Sequence, residues 1–410
     1  MSSKDFTYKP RILFISHSGD LYGAERSLLT LVIGLKALDT YEIMVFIPAA
    51  GPLSEACDRE AIPFRIVPFE RWIGLRYHPI ARYLRRIKNR LRIGKLIREA
   101  KRWMPDIVYS NTIASPAGAM LTERLSPKPL HLWHARELPG DKATGFGLFD
   151  YGKDASMRLI ARSSDCFICN SQYLHDQLVP VLQKFSASSD GLRTAVVYNG
   201  LDITERNEPL PAETEAAKGT EKSLRLVMAG GISAVKNYEE AVEAVGILAG
   251  KGIAPVLEIY GSGSAKYVLR LRKIIERSGL ERQVRLMGYH RHIEVALTNA
   301  DMLLVTSKME TFGRTAVEAM LAGCPVISSD AGALPEIISD GDTGLIYRSG
   351  VPEQLASQIE KMSTEPELRE KIIRKAREYA QARFSTARVV SEIDRILQDL
   401  LYQKNREDVQ

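Results

Sequence analysis

The chain of 410 residues predicts an α/β protein of two tandem domains, each a Rossmann-like, doubly wound parallel sheet. Three observations lead there. The chain is too long for one ordinary hydrophobic core. Short apolar segments alternate with helical patterns along both halves, and several are apolar at every position, as strands covered on both faces are. The alternation breaks once, in the polar, proline-bearing stretch "ITERNEPLPAETEAAKGTEKS", which is expected to be a linker over 203–223. The expected domains are 1–202 and 224–383, with 384–410 as a final helix and tail.

In the first half the strand pattern "RILFIS" (11–16) leads into a helix from about Ala24 to Leu38, then "YEIMVFI" (41–47). A short helix after Pro52, a strand near Phe64–Val67 and a long helical stretch over 80–103 come next. "DIVYS" (106–110), "LHLWH" (130–134), "CFICN" (166–170) and "TAVVYN" (194–199) complete the first sheet. The second half begins with "LRLVMAG" (224–230), a helix over 237–250, "PVLEIYG" (255–261) and a helix over 266–278. "VRLMG" (284–288), "DMLLVTS" (301–307), a helix from about Gly313, "PVISS" (325–329) and "TGLIY" (343–347) continue the pattern. Two helices occupy 352–383, and the last runs from Ser385 to about Gln403. Ligands of such sheets bind beyond the carboxyl ends of the strands, so a tandem pair is expected to place its site in the cleft between domains.

Hydrophobic content of 45% with 26% charged residues excludes a disordered chain. The start "MSSKDFTYKP" has no leader pattern, and no uncharged apolar run is long enough to span a bilayer, so a cytoplasmic protein is expected. Cys166 and Cys169 form a C-x-x-C, but on a strand positions three apart point to opposite faces, so both are read as core residues rather than metal ligands. Charge is uneven: residues 1–199 hold 28 Lys/Arg against 19 Asp/Glu, and the remainder 28 against 31. A basic first half is expected to meet something anionic.

The chemistry-bearing residues follow strands. Gly230-Gly231 with Lys236, then Gly261 and Gly263, then Gly288, and finally Glu310 with Phe312-Gly313 each follow a predicted strand. Each glycine alone is explained as well by a tight turn as by a ligand loop. In "ETFGRTAVE", Gly313 lets the backbone approach a ligand and opens a helix whose first amides suit a phosphate. Glu310 before the helix and Glu318 one turn into it can accept from hydroxyls on either side of that phosphate. A sugar, a phosphate and a ribose in that order make a nucleotide sugar. The alternative is a helix-capping Glu310 and a solvated Glu318.

The E-x7-E of "ETFGRTAVE", followed by "AMLAGCPVI" and "DGDTGLIY", resembles the donor-site region of retaining GT-B glycosyltransferases of the GT4 family. "GDLYGAER" (19–26) looks like that family's loop after the first strand, and "VVYNGLD" (196–202) like its Asn-Gly segment at the domain boundary. "YGSGS" and "LMGY" look like two nucleotide-side turns, and the helix after "RFS" like one that crosses back to the N-terminal domain. The resemblance spans nearly the whole chain. It implies that Glu310 binds donor-sugar hydroxyls, Glu318 the ribose, and the Phe312–Gly313 amides sugar and phosphate. It further implies that Lys236 neutralises the diphosphate and that Gly230, Gly261, Gly263 and Gly288 line the donor pocket. Gly23 would lie near the phosphates or acceptor, and His134 near the reacting sugar. Two departures stand out: Gly231 occupies the place of a phosphate-clamp arginine, for which Arg314 or Arg136 would substitute, and Tyr22 stands where a glycine is usual.

In such a transfer the leaving phosphate oxygen can take the acceptor proton, so no cofactor and no metal are expected; Asp340-Gly341-Asp342 reads as a turn. The segment 81–103 carries ten Lys/Arg between Arg82 and Arg102, with Glu99 as its one acid, and Ile80, Leu84, Ile87 and Leu91 at helical spacing. It is either a helix laid on the sheet with a solvated basic face or a dock for anionic lipid through Arg85, Arg86, Arg90 and Arg92. Without aromatic platforms, no nucleic-acid partner is expected. The function implied is transfer from a UDP- or GDP-linked sugar to a glycan or lipid-linked acceptor in surface polysaccharide or glycolipid assembly. A nucleotide-sugar hydrolase or epimerase, or a non-catalytic nucleotide-sugar binder, is the alternative.

Overall fold

The computed structural model describes residues 8–74, 79–140, 148–186, 191–202, 224–290 and 292–407. It forms two compact units, Met1–Gly200 with Thr386–Gln410, and Leu201–Ser385. The expected linker, 203–223, lies outside the described residues.

The N-terminal unit has strands β1 (Arg11–Ile15), β2 (Glu42–Ile47), β3 (Phe64–Ile66), β4 (Ile73–Gly74), β5 (Ile107–Ser110), β6 (Leu130–Ala135), β7 (Leu148–Phe149), β8 (Cys166–Cys169) and β9 (Thr194–Val196). Between them run helices α1 (Gly23–Ala37), α2 (Pro52–Arg59), α3 (Pro79–Trp103), α4 (Ala117–Thr122), α5 (Lys153–Ser163) and α6 (Gln172–Gln183). Seven of the strands form a parallel sheet in the order β3-β2-β1-β5-β6-β8-β9, with Ile12 beside Ile43 on one side and Ile107 on the other. The order reverses between β1 and β5. β4 and β7 form a separate antiparallel pair that the sequence reading did not include; strands of two residues leave no periodicity to find. The four cysteines are buried and unbridged, and burial pushes the Cys166 thiol up to about 12, which is the behaviour of core residues.

The C-terminal unit has β10 (Arg225–Ala229), β11 (Val256–Tyr260), β12 (Val284–Gly288), β13 (Met302–Val305), β14 (Val326–Ser329) and β15 (Leu345–Tyr347). Its helices are α7 (Tyr238–Gly250), α8 (Ala265–Arg277), α9 (Ile293–Thr298), α10 (Arg314–Ala322), α11 (Leu334–Ile337), α12 (Pro352–Thr364) and α13 (Pro366–Phe384). The sheet is parallel, ordered β12-β11-β10-β13-β14-β15, which is the doubly wound order with its switch point between β10 and β13.

The last helix, α14 (Thr386–Glu407), belongs to the N-terminal unit. Val389, Val390, Ile393, Leu397 and Leu400 join Leu28, Leu31, Val32 and Leu35 of α1 in one buried cluster. Tyr41 donates to Asp394 Oδ1 at 2.6 Å, so a polar contact accompanies the apolar one.

Candidate functional site

At the switch point of the C-terminal sheet, β10 leads through Gly230 into a 3-10 turn, Ala234–Lys236, while β13 leads to Ser307 and Glu310. Neighbouring strands bring the two segments side by side. Thr306 Oγ1 donates to the carbonyls of Lys236 (2.8 Å) and Asn237 (2.9 Å), and Lys308 N donates to Val235 O at 2.7 Å. The turn that carries Lys236 is thereby stapled to the loop that carries Glu310. The Lys236 ammonium pairs with Glu310 Oε2, which Ser307 Oγ also reaches at 3.4 Å. Their side chains are 27% and 13% exposed, so both are partly screened from water yet open to a ligand. Tyr238, buried beneath, donates to Gly230 O at 3.2 Å, and burial together with Glu310 pushes its hydroxyl pKa up.

Gly313 begins α10 with φ of +94°, a conformation that favours glycine, and the first turn of α10 starts directly after it. Arg314 Nε lies on Glu318 Oε1 at 2.9 Å, so the expected ribose-binding carboxylate is held by the expected substitute cation. Phe312 turns inward, 2% exposed and edge-on to Phe384 at 5.6 Å, and anchors the loop through its ring. One residue of this site escaped the sequence reading. Gly332, at φ +64°, lies so close that a Cβ would stand 2.1 Å from Glu310 O, and Ala333 N donates to that oxygen at 2.8 Å. Its signal was only a glycine in "DAGALPE", one of many.

Two of the glycines are also required by packing. A Cβ on Gly261 would stand 1.8 Å from Gly230 O, and one on Gly263 would stand 2.1 Å from Ile232 O. Both let the loops after β10 and β11 touch backbone to backbone, with Ile232 N donating to Ser262 O at 2.8 Å. Gly288 O accepts from Gly261 N at 2.7 Å. Around Gly231 a Cβ would meet nothing within 4 Å, so packing does not demand glycine at the place of the missing arginine. Asp340 and Asp342 form the expected turn: Asp340 accepts from Ile346 N, and Asp342 is held by Lys371 and Lys375.

In the N-terminal unit a second polar cluster gathers beyond β1, β5 and β6. Gly23 opens α1, and a Cβ there would meet nothing within 4 Å. Glu25, two residues on, is buried, and burial pushes its carboxyl up to about 7. Its Oε1 lies 3.0 Å from His17 Nδ1, whose pKa burial and Arg71 lower to about 4, although neither atom completes a well-formed hydrogen bond. Glu137, just past β6, is likewise pushed up to about 7 by burial. Glu25 stands in the quoted "GDLYGAER" loop and Glu137 in no motif, and in neither case does the sequence mark the carboxylate as desolvated.

His134, at the end of β6, is 1% exposed. Its Nδ1 receives the Tyr109 hydroxyl at 2.5 Å and Arg136 Nη2 at 3.3 Å; arginine can only donate, so Nδ1 is the acceptor and Nε2 carries the hydrogen. Burial and Arg136 hold this imidazole well below its usual pKa, so it is a neutral, hydrogen-bonded group. Arg136 also donates to Asn111 and Asn199, which commits it to its own unit.

Among the expected docking arginines, two are corrected. Arg85 pairs bidentately with Asp150, whose side chain is 1% exposed, and Arg92 pairs with Glu70 at 2.5 Å. Both are engaged in tying α3 to the unit, Arg85 at a buried carboxylate and Arg92, its side chain 40% exposed, at a surface one. Arg86 lies over the Tyr151 ring at 4.7 Å, and Arg90 is exposed.

Residues 212–379 match the family model described as "Glycosyl transferases group 1", and residues 22–205 the model "Glycosyltransferase Family 4". The chain belongs to the GT-B glycosyltransferases of family 4. It is similar, at 26% identity over 319 residues, to an uncharacterized glycosyltransferase of Methanocaldococcus jannaschii, a match covering 76% of this chain and 80% of that one. It is 27% identical over 167 residues to N-acetyl-alpha-D-glucosaminyl L-malate synthase of Bacillus anthracis, covering 41% of this chain and 43% of that relative. The chain spans about half the length of several other curated relatives it matches. Among solved GT-B structures it resembles Anabaena HepE in complex with UDP and glucose, with a TM-score of 0.74 and 22% identity over 95% of this chain and 100% of that one. That likeness shows the fold. In this GT-B protein the Lys236–Glu310 pair and the start of α10 together face the carboxyl edge of the C-terminal sheet, where ligands of such sheets bind.

Proposed function

We propose that the protein is a retaining glycosyltransferase that moves a sugar from a UDP- or GDP-linked donor to a glycan or lipid-linked acceptor. Its place is in cell-surface polysaccharide or glycolipid assembly, on the cytoplasmic face of a membrane. The observation that carries the reading is the Lys236–Glu310 ion pair at the switch point beside the α10 start. A bound diphosphate draws Lys236 toward itself, which leaves Glu310 to accept hydrogen bonds from the donor sugar. The amide end of α10 and Arg314 add positive potential where charge develops on the leaving group. Glu318 then accepts from the ribose hydroxyls. As the bond from the anomeric carbon to the phosphate breaks, the acceptor oxygen bonds that carbon on the same face. The acceptor proton passes to the leaving phosphate oxygen, so no protein base is needed. These protein cations take the part a metal plays elsewhere. His134 enters as a neutral hydrogen-bonding group. Complexes of HepE with UDP and with UDP-glucose support a nucleotide-sugar donor.

The test is product analysis with labelled UDP- and GDP-sugars and extracted glycan or lipid-linked acceptors. A labelled product whose anomeric configuration matches that of the donor is the expected result. An inverted product removes retention, free sugar or an epimer favours a hydrolase or epimerase, and donor binding without turnover favours a binding protein.

A further inference from the structure

The first half of α3 is packed inside out. An apolar stripe at helical spacing ordinarily faces the core. Here the positions facing the unit are Arg82, Arg85, Asn89 and Arg92. Arg82 donates to the carbonyls of Phe149 (3.1 Å) and Asp150 (2.8 Å), and Asn89 exchanges hydrogen bonds with the Glu70 backbone at 2.8 and 3.2 Å. Arg85 and Arg92 hold Asp150 and Glu70. The apolar stripe is therefore turned outward: Ile80 is 66% exposed, Tyr83 63%, Leu84 48% and Leu91 76%, with Ile87 half-buried between them. At 3.6 residues per turn these five fall within about 100° of one another, a single ridge. In the second half of α3 the sense reverses. Leu96 and Ala100 are buried, while Lys95, Arg98, Lys101 and Arg102 continue the outward face.

Four large apolar side chains in one exposed row mark an interaction surface. The charge around the row chooses the occupant. Exposed Arg86, Lys88 and Arg90 flank it and the outward cations extend it, while Glu99 is the only acid of the helix. A partner must then offer an apolar layer next to dense negative charge, as an anionic bilayer does at its headgroup boundary. No helix among the described residues is long and apolar enough to cross a membrane, so a contact of α3 with a bilayer would run along its surface. We propose that α3 is an interfacial anchor: Ile80, Tyr83, Leu84 and Leu91 enter the headgroup–acyl boundary, and Arg86, Arg90, Lys95 and Arg98 reach the lipid phosphates along their stems. This rests on the membrane half of the function proposed above and names its contact surface, with Arg85 and Arg92 outside it.

The test is co-sedimentation of the whole protein with phosphatidylcholine vesicles, with and without phosphatidylglycerol, at low and high salt. Wild type is expected to bind the anionic vesicles and to keep part of that binding in high salt, because apolar insertion is not screened. Leu84→Ser with Leu91→Ser should lower partition about tenfold or more at both salts, with an unchanged circular-dichroism melt. Arg86→Gln, Arg90→Gln, Lys95→Gln and Arg98→Gln together should remove only the salt-sensitive share. Wild type that ignores both vesicles, or a serine variant that binds as wild type does, overturns the proposal. So does a dimer in lipid-free sedimentation that the serine variant abolishes, since the ridge is then covered by a second copy. Transfer to a soluble acceptor should be unaffected in the serine variant, which separates failure of the anchor from failure of the glycosyltransferase reading.

Discussion

Lys236 and Glu310 are ion-pair partners 74 residues apart in the chain, each delivered by a loop beyond one of the two strands that flank the switch point. Under the proposed function the pair keeps two groups of opposite duty in one place: a cation for a leaving diphosphate and a carboxylate for sugar hydroxyls. Lys236→Ala and Glu310→Ala are each expected to cut kcat by roughly 10²–10³, as loss of one preorganised group does. The double variant should lose less than the product of the two, because each side chain positions the other. Glu318→Ala should instead raise the donor KM. Steady-state transfer over a range of donor concentrations up to saturation reads all four, and near-wild-type kcat in both the Lys236 and Glu310 single variants defeats the site assignment.

Gly332 supports Glu310 from behind. Gly332→Ala puts a Cβ 2.1 Å from Glu310 O at a φ of +64°, so the loop must shift. A loss of about 1–3 kcal/mol is expected, seen by calorimetry, together with lower transfer activity. Full activity with unchanged stability would mean that the loop accommodates the methyl group at no cost.

Burial of Glu25 predicts a pH signature. A carboxyl with a folded pKa of about 7, above its free value of 4.5, retains its proton longer in the folded state. The stability this contributes is complete below about 4.5 and is lost as pH rises through about 7. Glu25→Gln cannot ionise, so its stability relative to wild type should rise across that window by on the order of 3 kcal/mol. The lowered pKa values of His17 and His131 act in the opposite sense, but they are present in both proteins and largely cancel. Urea unfolding of the two proteins at mildly acidic and mildly alkaline pH measures the difference, and a pH-independent difference would place an ionised Glu25 in the fold.

Neighbouring arginines of α3 should behave differently. Arg85→Ala leaves Asp150 buried with only the more distant Arg82, whose Nε is 4.0 Å away, and is expected to cost about 2–4 kcal/mol. Arg86→Ala loses an exposed contact with the Tyr151 ring and should cost below about 1 kcal/mol. All three tryptophans, Trp72, Trp103 and Trp133, lie in the N-terminal unit, so their fluorescence during thermal unfolding reports this unit. Equal melting of the two variants would show that the Arg85–Asp150 pair carries no net stability.

The sequence by itself determined the two parallel sheets, because strands covered on both faces read as continuous apolar runs and each is followed by a helical pattern. It also placed Gly313 and the two glutamates of "ETFGRTAVE" at a strand-to-helix turn, where the structure has them. Only the tertiary structure decided the rest, because those features depend on partners far away in the chain. Gly261 and Gly263 are glycines to let the chain touch itself, and Gly332 is one to hold Glu310. His134 is neutral because Tyr109 and Arg136 close over it. Most telling is α3: its period of apolar residues was plain, but a period says only that a helix has an apolar side. Which side meets the protein was settled by Asp150 and Glu70, two carboxylates on other segments that draw the arginines inward and leave the leucines facing out.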